Sequence, residues 1–154
     1  VVSLCGFRTE TDTYNVIPDS VHLRGTVRTF EPKVQRLVRS RIDALATATA
    51  DGYGAVAEVS HVSGPPALVN HEREADLAAE VAIAVCGVAH RNLEPTMGGE
   101  DFSEMLLERP GAYLFVGNGQ SADLHNPSYE FNDEVIPVGC SWFVTMAERR
   151  MPLA

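Results

Sequence analysis

Long apolar runs are missing from this sequence: Asp, Glu, Arg or Gly interrupts them every few residues, well short of the roughly 18 to 20 apolar residues that a membrane-spanning helix needs. Basic residues are few, 12 Lys plus Arg against 21 Asp plus Glu, which gives a net charge of -9. A phosphate-backbone partner selects a basic surface, so nucleic acid is not an expected partner. Cysteine is limited to Cys5, Cys86 and Cys140, odd in number, far apart and outside any C-x-x-C spacing. Neither a disulfide framework nor a zinc finger is indicated, and a reducing cytoplasm is the expected setting. The first residues, Val1-Val2-Ser3-Leu4-Cys5, carry no initiating Met and no basic-then-apolar signal pattern, and they open directly in a β-branched run, as the middle of a domain would. Also absent are a G-x-S-x-G elbow, a P-loop, an H-E-x-x-H pair and any internal repeat.

What remains is a chain of 154 residues, 45% hydrophobic, enough for one ordinary core or two small ones. Residues 1 to 9 predict a strand, and Thr9 to Thr13 a polar turn. From Val21 to Phe30, Val21, Leu23 and Val27 alternate with His22, Arg24, Thr26 and Arg28, the period of a strand with one buried face. The period then becomes helical over 31 to 50: Pro32 suits the first turn, Val34, Leu37, Val38, Ile42, Leu45 and Ala46 form a stripe, and Asp51-Gly52 is the stop. A strand at about 53 to 62 is expected next, giving most of a split β-α-β sandwich.

Ser63-Gly64-Pro65-Pro66 breaks the pattern and marks a domain boundary. Beyond it, Asn70 is expected to cap a helix over 72 to 86 that carries Leu77, Ala78, Val81, Ala82 and Val85 and stops at Gly87. Gly98-Gly99-Glu100-Asp101-Phe102 leads to a short helix ended by Pro110-Gly111, and Ala112 to Val116 predicts a buried strand. Asn132 or Asp133 is expected to cap a last helix, running to about Arg150, with Val135, Val138, Trp142, Phe143 and Met146 on it.

Chemistry has three candidate positions. His125, in the loop Asp123-Leu124-His125-Asn126-Pro127, is an imidazole among carboxylates, a possible metal ligand whose second nitrogen a neighbouring acid would orient; a solvated loop histidine has the same pattern. Gly98 and Gly99 give a backbone that a ligand could approach closely, although the acids after them also suit a helix start. Arg28 could clamp a carboxylate bidentately, or simply be solvated on a strand face.

Three segments together resemble the peptidase M20 amidohydrolases. Tyr14-Asn15-Val16-Ile17-Pro18-Asp19-Ser20 with Gly25-Thr26-Val27-Arg28-Thr29-Phe30 is similar to that family's NVIPD…GTVRTF signature. Met97 to Phe102 resembles its MGxEDF loop, and Leu124-His125-Asn126-Pro127 through Phe131-Asn132-Asp133-Glu134 its LHxPxFxFNDE element. The motifs stand in the family's order and span nearly the whole chain.

The resemblance implies an α/β fold in two parts: at 1–66, the latter part of a split β-α-β lid or dimerisation domain; at 67–154, the C-terminal part of a mixed-sheet metallohydrolase domain. It implies His125 as a metal ligand, Asn15 and Arg28 as lid residues that hold the substrate carbonyl or carboxylate, and Gly98 and Gly99 as pocket lining. The complete enzyme would carry divalent ions, Zn, Mn, Ni or Co and two in number, would hydrolyse N-acyl amino acids of the hippurate kind, and would form a homodimer through the lid. The general-base Glu and the other metal ligands belong to the family's N-terminal half, so these residues alone would hold no catalytic group and be inactive. Two other functions fit the same residues: an M20-type metal exopeptidase or dipeptidase, and a non-catalytic dimerisation or binding module.

Overall fold

The computed structural model describes residues 1–152. In chain order the elements are β1 (Val2–Thr9), β2 (Val21–Val27), α1 (Pro32–Gly52), α2 (Glu72–Cys86), α3 (Phe102–Glu108) and α4 (Val135–Arg150), an α/β arrangement. They form two compact units: Val1–Ala67 with Thr96–Asp101, and Leu68–Pro95 with the chain from Phe102 onward. Thr96–Asp101 thus clusters with the first unit although it lies within the second in sequence.

In the first unit β1 and β2 pair antiparallel, with Val2 opposite Val27, Leu4 opposite Gly25, Phe7 opposite Leu23 and Thr9 opposite Val21. A bulge between Leu4 and Gly6 absorbs Cys5 as an extra residue. That extra residue corrects the parity of the strand, so Val2, Leu4 and Phe7 share the face of Val21, Leu23 and Val27 despite the odd spacing of Leu4 and Phe7. Gly25 is dictated by close approach, since a Cβ there would run into the Ser3 carbonyl oxygen. The long connection between the strands is closed at its base by Ser20, whose hydroxyl donates to Glu10 Oε1 at 2.6 Å.

α1 begins as expected, with proline in its first turn, where the missing N–H costs nothing. Its stripe is only half covered: Val38, Ile42 and Ala46 are partly buried, whereas Leu37 and Leu45 are exposed. The strand expected at 53 to 62 does not form. A strand needs a neighbouring backbone to complete its ladder, and β1 and β2 are the members of a two-stranded sheet. Side chains tie the segment to α1 instead: His61 Nε2 meets Asp43 Oδ1 at 2.7 Å, and Arg39 Nη2 donates to Ser63 Oγ at 3.5 Å.

The second unit is centred on α2 and α4. Ala78, Ala79 and Val81 are buried on α2, and Ser103 and Leu106 on α3. Small side chains on α2 let α4 approach closely, and Trp142 of α4 donates its indole N–H to the Ala78 carbonyl at 3.1 Å. Gly87 ends α2 in the left-handed region, φ 81°, its N–H returning to the Ile83 carbonyl at 2.8 Å.

Two caps differ from expectation. Asn70 does not cap α2, whose N-cap is His71 without a side-chain bond. Its amide is committed to Tyr113, accepting from the N–H at 2.8 Å and donating to the C=O at 2.9 Å. The expected strand at Ala112 to Val116 does not form, and the amide of Asn70 takes up both backbone groups of Tyr113. His71 reinforces it, its N–H donating to the Gly111 carbonyl at 3.1 Å. At α4 the N-cap is Glu134, with no side-chain bond. Asn132 acts earlier, its Oδ1 accepting from Glu134 N–H at 3.0 Å and its carbonyl from Val135 N–H at 3.1 Å.

Candidate functional site

In the first unit, Arg28 follows β2 directly and its backbone is held on both sides: its N–H donates to the Val1 carbonyl at 2.9 Å, and its carbonyl accepts from the Val1 amino group at 2.8 Å. The side chain reaches the 96–101 loop and lies against Gly99, where Nη1 occupies the space a Cβ would need and Cζ stands 3.2 Å from that position. Gly98 is different, as a Cβ there would meet nothing closer than Thr96 Oγ1 at 3.8 Å. Two of the sequence candidates thus touch, and a side chain at position 99, unlike one at 98, would have to displace the end of Arg28. The ion pairs of the first unit are Lys33–Glu31 and His61–Asp43, which leaves the Arg28 guanidinium without a carboxylate among the described residues. A guanidinium in that state offers a planar fork of donors to an incoming carboxylate.

Asn15 lies outside this contact. It sits in the turn closed by Val16 N–H to Thr13 C=O at 3.4 Å, is exposed, and makes no hydrogen bond to Arg28 or Gly99.

In the second unit, His125 stands at the tip of a loop over 118 to 132. Asn118 closes the neck with two bonds, Nδ2 donating to the Glu130 carbonyl at 2.7 Å and Oδ1 accepting from Asn132 N–H at 2.8 Å. Ser121 adds a third, its Oγ accepting from Glu130 N–H at 3.2 Å. Inside the loop, Asn126 N–H donates to the Asp123 carbonyl at 3.1 Å, and Asn126 Oδ1 accepts from Ser128 N–H at 2.9 Å. These turns force His125 to φ 67°, and it is the one non-glycine residue with positive φ among the described residues. That conformation costs a side-chain-bearing residue about 1 to 2 kcal/mol. The loop spends stability to present an exposed imidazole.

No group of three or more His, Cys, Asp or Glu side chains suited to a metal ion occurs among the described residues. These residues therefore do not by themselves fit a metal centre, and no catalytic step is derived through one. No described helix is long and apolar enough to cross a membrane.

The residue reading missed Asn118 and Ser121 as the neck of the His125 loop, and Asn70 as a brace. Asn118-Gly119 carried a signal, since Asn-Gly marks a turn, and Gly119 does adopt φ 81°.

Comparison with known proteins bears on the whole chain. A family model described as Peptidase family M20/M25/M40 matches residues 8–149. The chain belongs to that family. An N-acetyl-L-cysteine deacetylase of Bacillus subtilis is 34% identical over 143 residues, covering 90% of this chain and 33% of the relative. A hippurate hydrolase of Campylobacter jejuni is 28% identical over 149 residues, covering 96% of this chain and 39% of the relative. Among solved structures, the YXEP protein of Bacillus subtilis, described as a dinuclear metal binding peptidase from the M20 family, superposes with a TM-score of 0.77 at 30% identity. It covers the whole of this chain and 42% of its own length is matched. The chain thus spans about a third of the length of the curated relatives it matches.

Proposed function

We propose that this chain is the substrate-gripping and partly metal-ligating portion of a metal-dependent amide hydrolase that acts on N-acyl amino acids. The observation that carries the reading is the Arg28 guanidinium, seated against Gly99 and in no ion pair among the described residues. An N-acyl amino acid has a free carboxylate next to its scissile amide. A bidentate grip on that carboxylate fixes the amide relative to the attacking water, which is how positioning lowers a barrier.

Relatives described as an N-acetyl-L-cysteine deacetylase and a hippurate hydrolase support the acyl-amino-acid class over other amides. Asn15 is the proposed second substrate contact, and Gly98 the adjoining wall. His125 is the proposed metal ligand, supported by the strained backbone that presents it, with divalent ions of the kind the YXEP neighbour binds taking their other ligands from outside these residues. The three cysteines are all free, which supports a cytoplasmic setting.

The isolated chain is accordingly proposed to be inactive. A metal exopeptidase is the second reading, favoured by the description of the YXEP neighbour as a peptidase, because a peptide's terminal carboxylate would meet Arg28 equally well. Both are tested by assaying hippurate, N-acetylcysteine and an unblocked dipeptide with divalent metal present. The isolated chain should cleave none of them. Joined to the remainder of a family-length protein, it should prefer the acyl amino acids by roughly tenfold or more, a discrimination within reach of one pocket; preference for the dipeptide would select the exopeptidase reading.

A further inference from the structure

The polar face of the β1–β2 hairpin carries a cluster that substrate grip by Arg28 does not use. Arg8 stands directly opposite His22 in the strand register, and Arg24 stands opposite Gly6. Side chains facing each other across a strand pair start about 5 Å apart, and alternate residues on one strand about 7 Å apart. Three groups able to carry positive charge therefore begin within a single side chain's reach of one another. A like-charge pair placed opposite is unfavourable in a sheet, and the chain as a whole has a net charge of -9. Carboxylates are plentiful, yet among the described residues none forms an ion pair with Arg8, His22 or Arg24.

Gly6, Phe7, Arg8, His22 and Arg24 line an open surface depression of about 410 Å³. Gly6 keeps it open, since a Cβ there would already stand 3.5 Å from Arg24 Cβ and a longer side chain would fill the floor. The bulge at Cys5 lies immediately beside this pair, and bulges re-aim the side chains next to them.

We propose that Arg8, His22 and Arg24 form a binding site for a phosphate group. Two guanidinium forks and an imidazole supply more donors than the two oxygens of a carboxylate accept, and they match the several acceptor oxygens and the dianionic charge of phosphate. The site stands on the hairpin register and does not depend on the hydrolase reading.

The test is NMR titration of the whole 15N-labelled chain with inorganic phosphate at low salt, following the side-chain Nε–H signals of Arg8 and Arg24 and the ring of His22. Saturable shifts are expected at these three residues, with affinity at least roughly tenfold weaker in an Arg8→Gln/Arg24→Gln double variant and unchanged in Arg36→Gln and Arg41→Gln, where a tenfold change is about 1.4 kcal/mol. A second arm uses a simple phosphate monoester; saturable binding of either supports the site, and the tighter of the two identifies free phosphate or a phosphorylated metabolite as the source. Shifts that never saturate, equal shifts with acetate, equal loss in an Arg36→Gln/Arg41→Gln control, or binding that survives the double variant would each overturn the proposal.

Discussion

The guanidinium of Arg28 lies where a side chain on Gly99 would have to be. Backbone permits alanine at 99, as Gly99 is not among the positive-φ glycines, so the effect of a side chain there acts through the space it takes from Arg28. Gly99→Ala should displace the guanidinium by about the width of a methyl and weaken carboxylate binding by about tenfold, about 1.4 kcal/mol, with little change in stability. Gly98→Ala, with open space around it, should leave binding unaltered. Titration of both variants with an N-acetyl amino acid checks the contrast; equal effects at 98 and 99 would show that the contact does not set the position of Arg28.

His125→Gly should make the chain more stable. Glycine adopts φ 67° without the Cβ penalty, and the gain, offset by the added freedom of the unfolded chain, should be about 0.5 to 1 kcal/mol. Urea unfolding measures it. Loss of stability would mean that the imidazole makes contacts holding the loop, and would remove the argument that its conformation serves ligand presentation.

Trp142→Phe keeps the ring surface but loses the indole bond to the Ala78 carbonyl. The expected cost is about 1 kcal/mol, read by circular dichroism because Trp142 is the sole tryptophan. An unchanged midpoint would show that α4 is held on α2 by apolar contact alone.

Leu4, Phe7 and Leu23 share the apolar face of the hairpin and remain 69%, 69% and 57% exposed. We propose that the first unit self-associates through this face, as contiguous apolar surface marks interaction sites. Light scattering should find a dimer that Phe7→Glu shifts to monomer at micromolar concentration; a monomeric parent chain would remove the proposal.

Much of the fold was legible because it depends on local pattern. The period-2 alternation of Val21 to Val27, Pro32 at the start of α1 and Gly87 after α2 each act through the residue's own backbone preference or its nearest neighbours. The segments at 53 to 62 and 112 to 116 were misjudged because a strand is defined by its partner, and alternation says nothing of whether one is there. In the second case the amide of Asn70 takes part of that role, through bonds between residues 43 apart that no local pattern encodes. The site divides the same way. His125 and Arg28 carried motifs, whereas the contact of Arg28 with Gly99 joins positions 28 and 99, and the sequence could offer both as candidates without setting one against the other.

The most direct test of the substrate grip is a titration of the 15N-labelled chain with N-acetylglycine and, in parallel, with its carboxamide, followed at Arg28 Nε–H. The account predicts that the carboxylate shifts the Arg28 signal and saturates, that the carboxamide leaves it in place, and that Arg28→Gln abolishes binding. An Arg28 signal that moves equally with both ligands, or with neither, would contradict it.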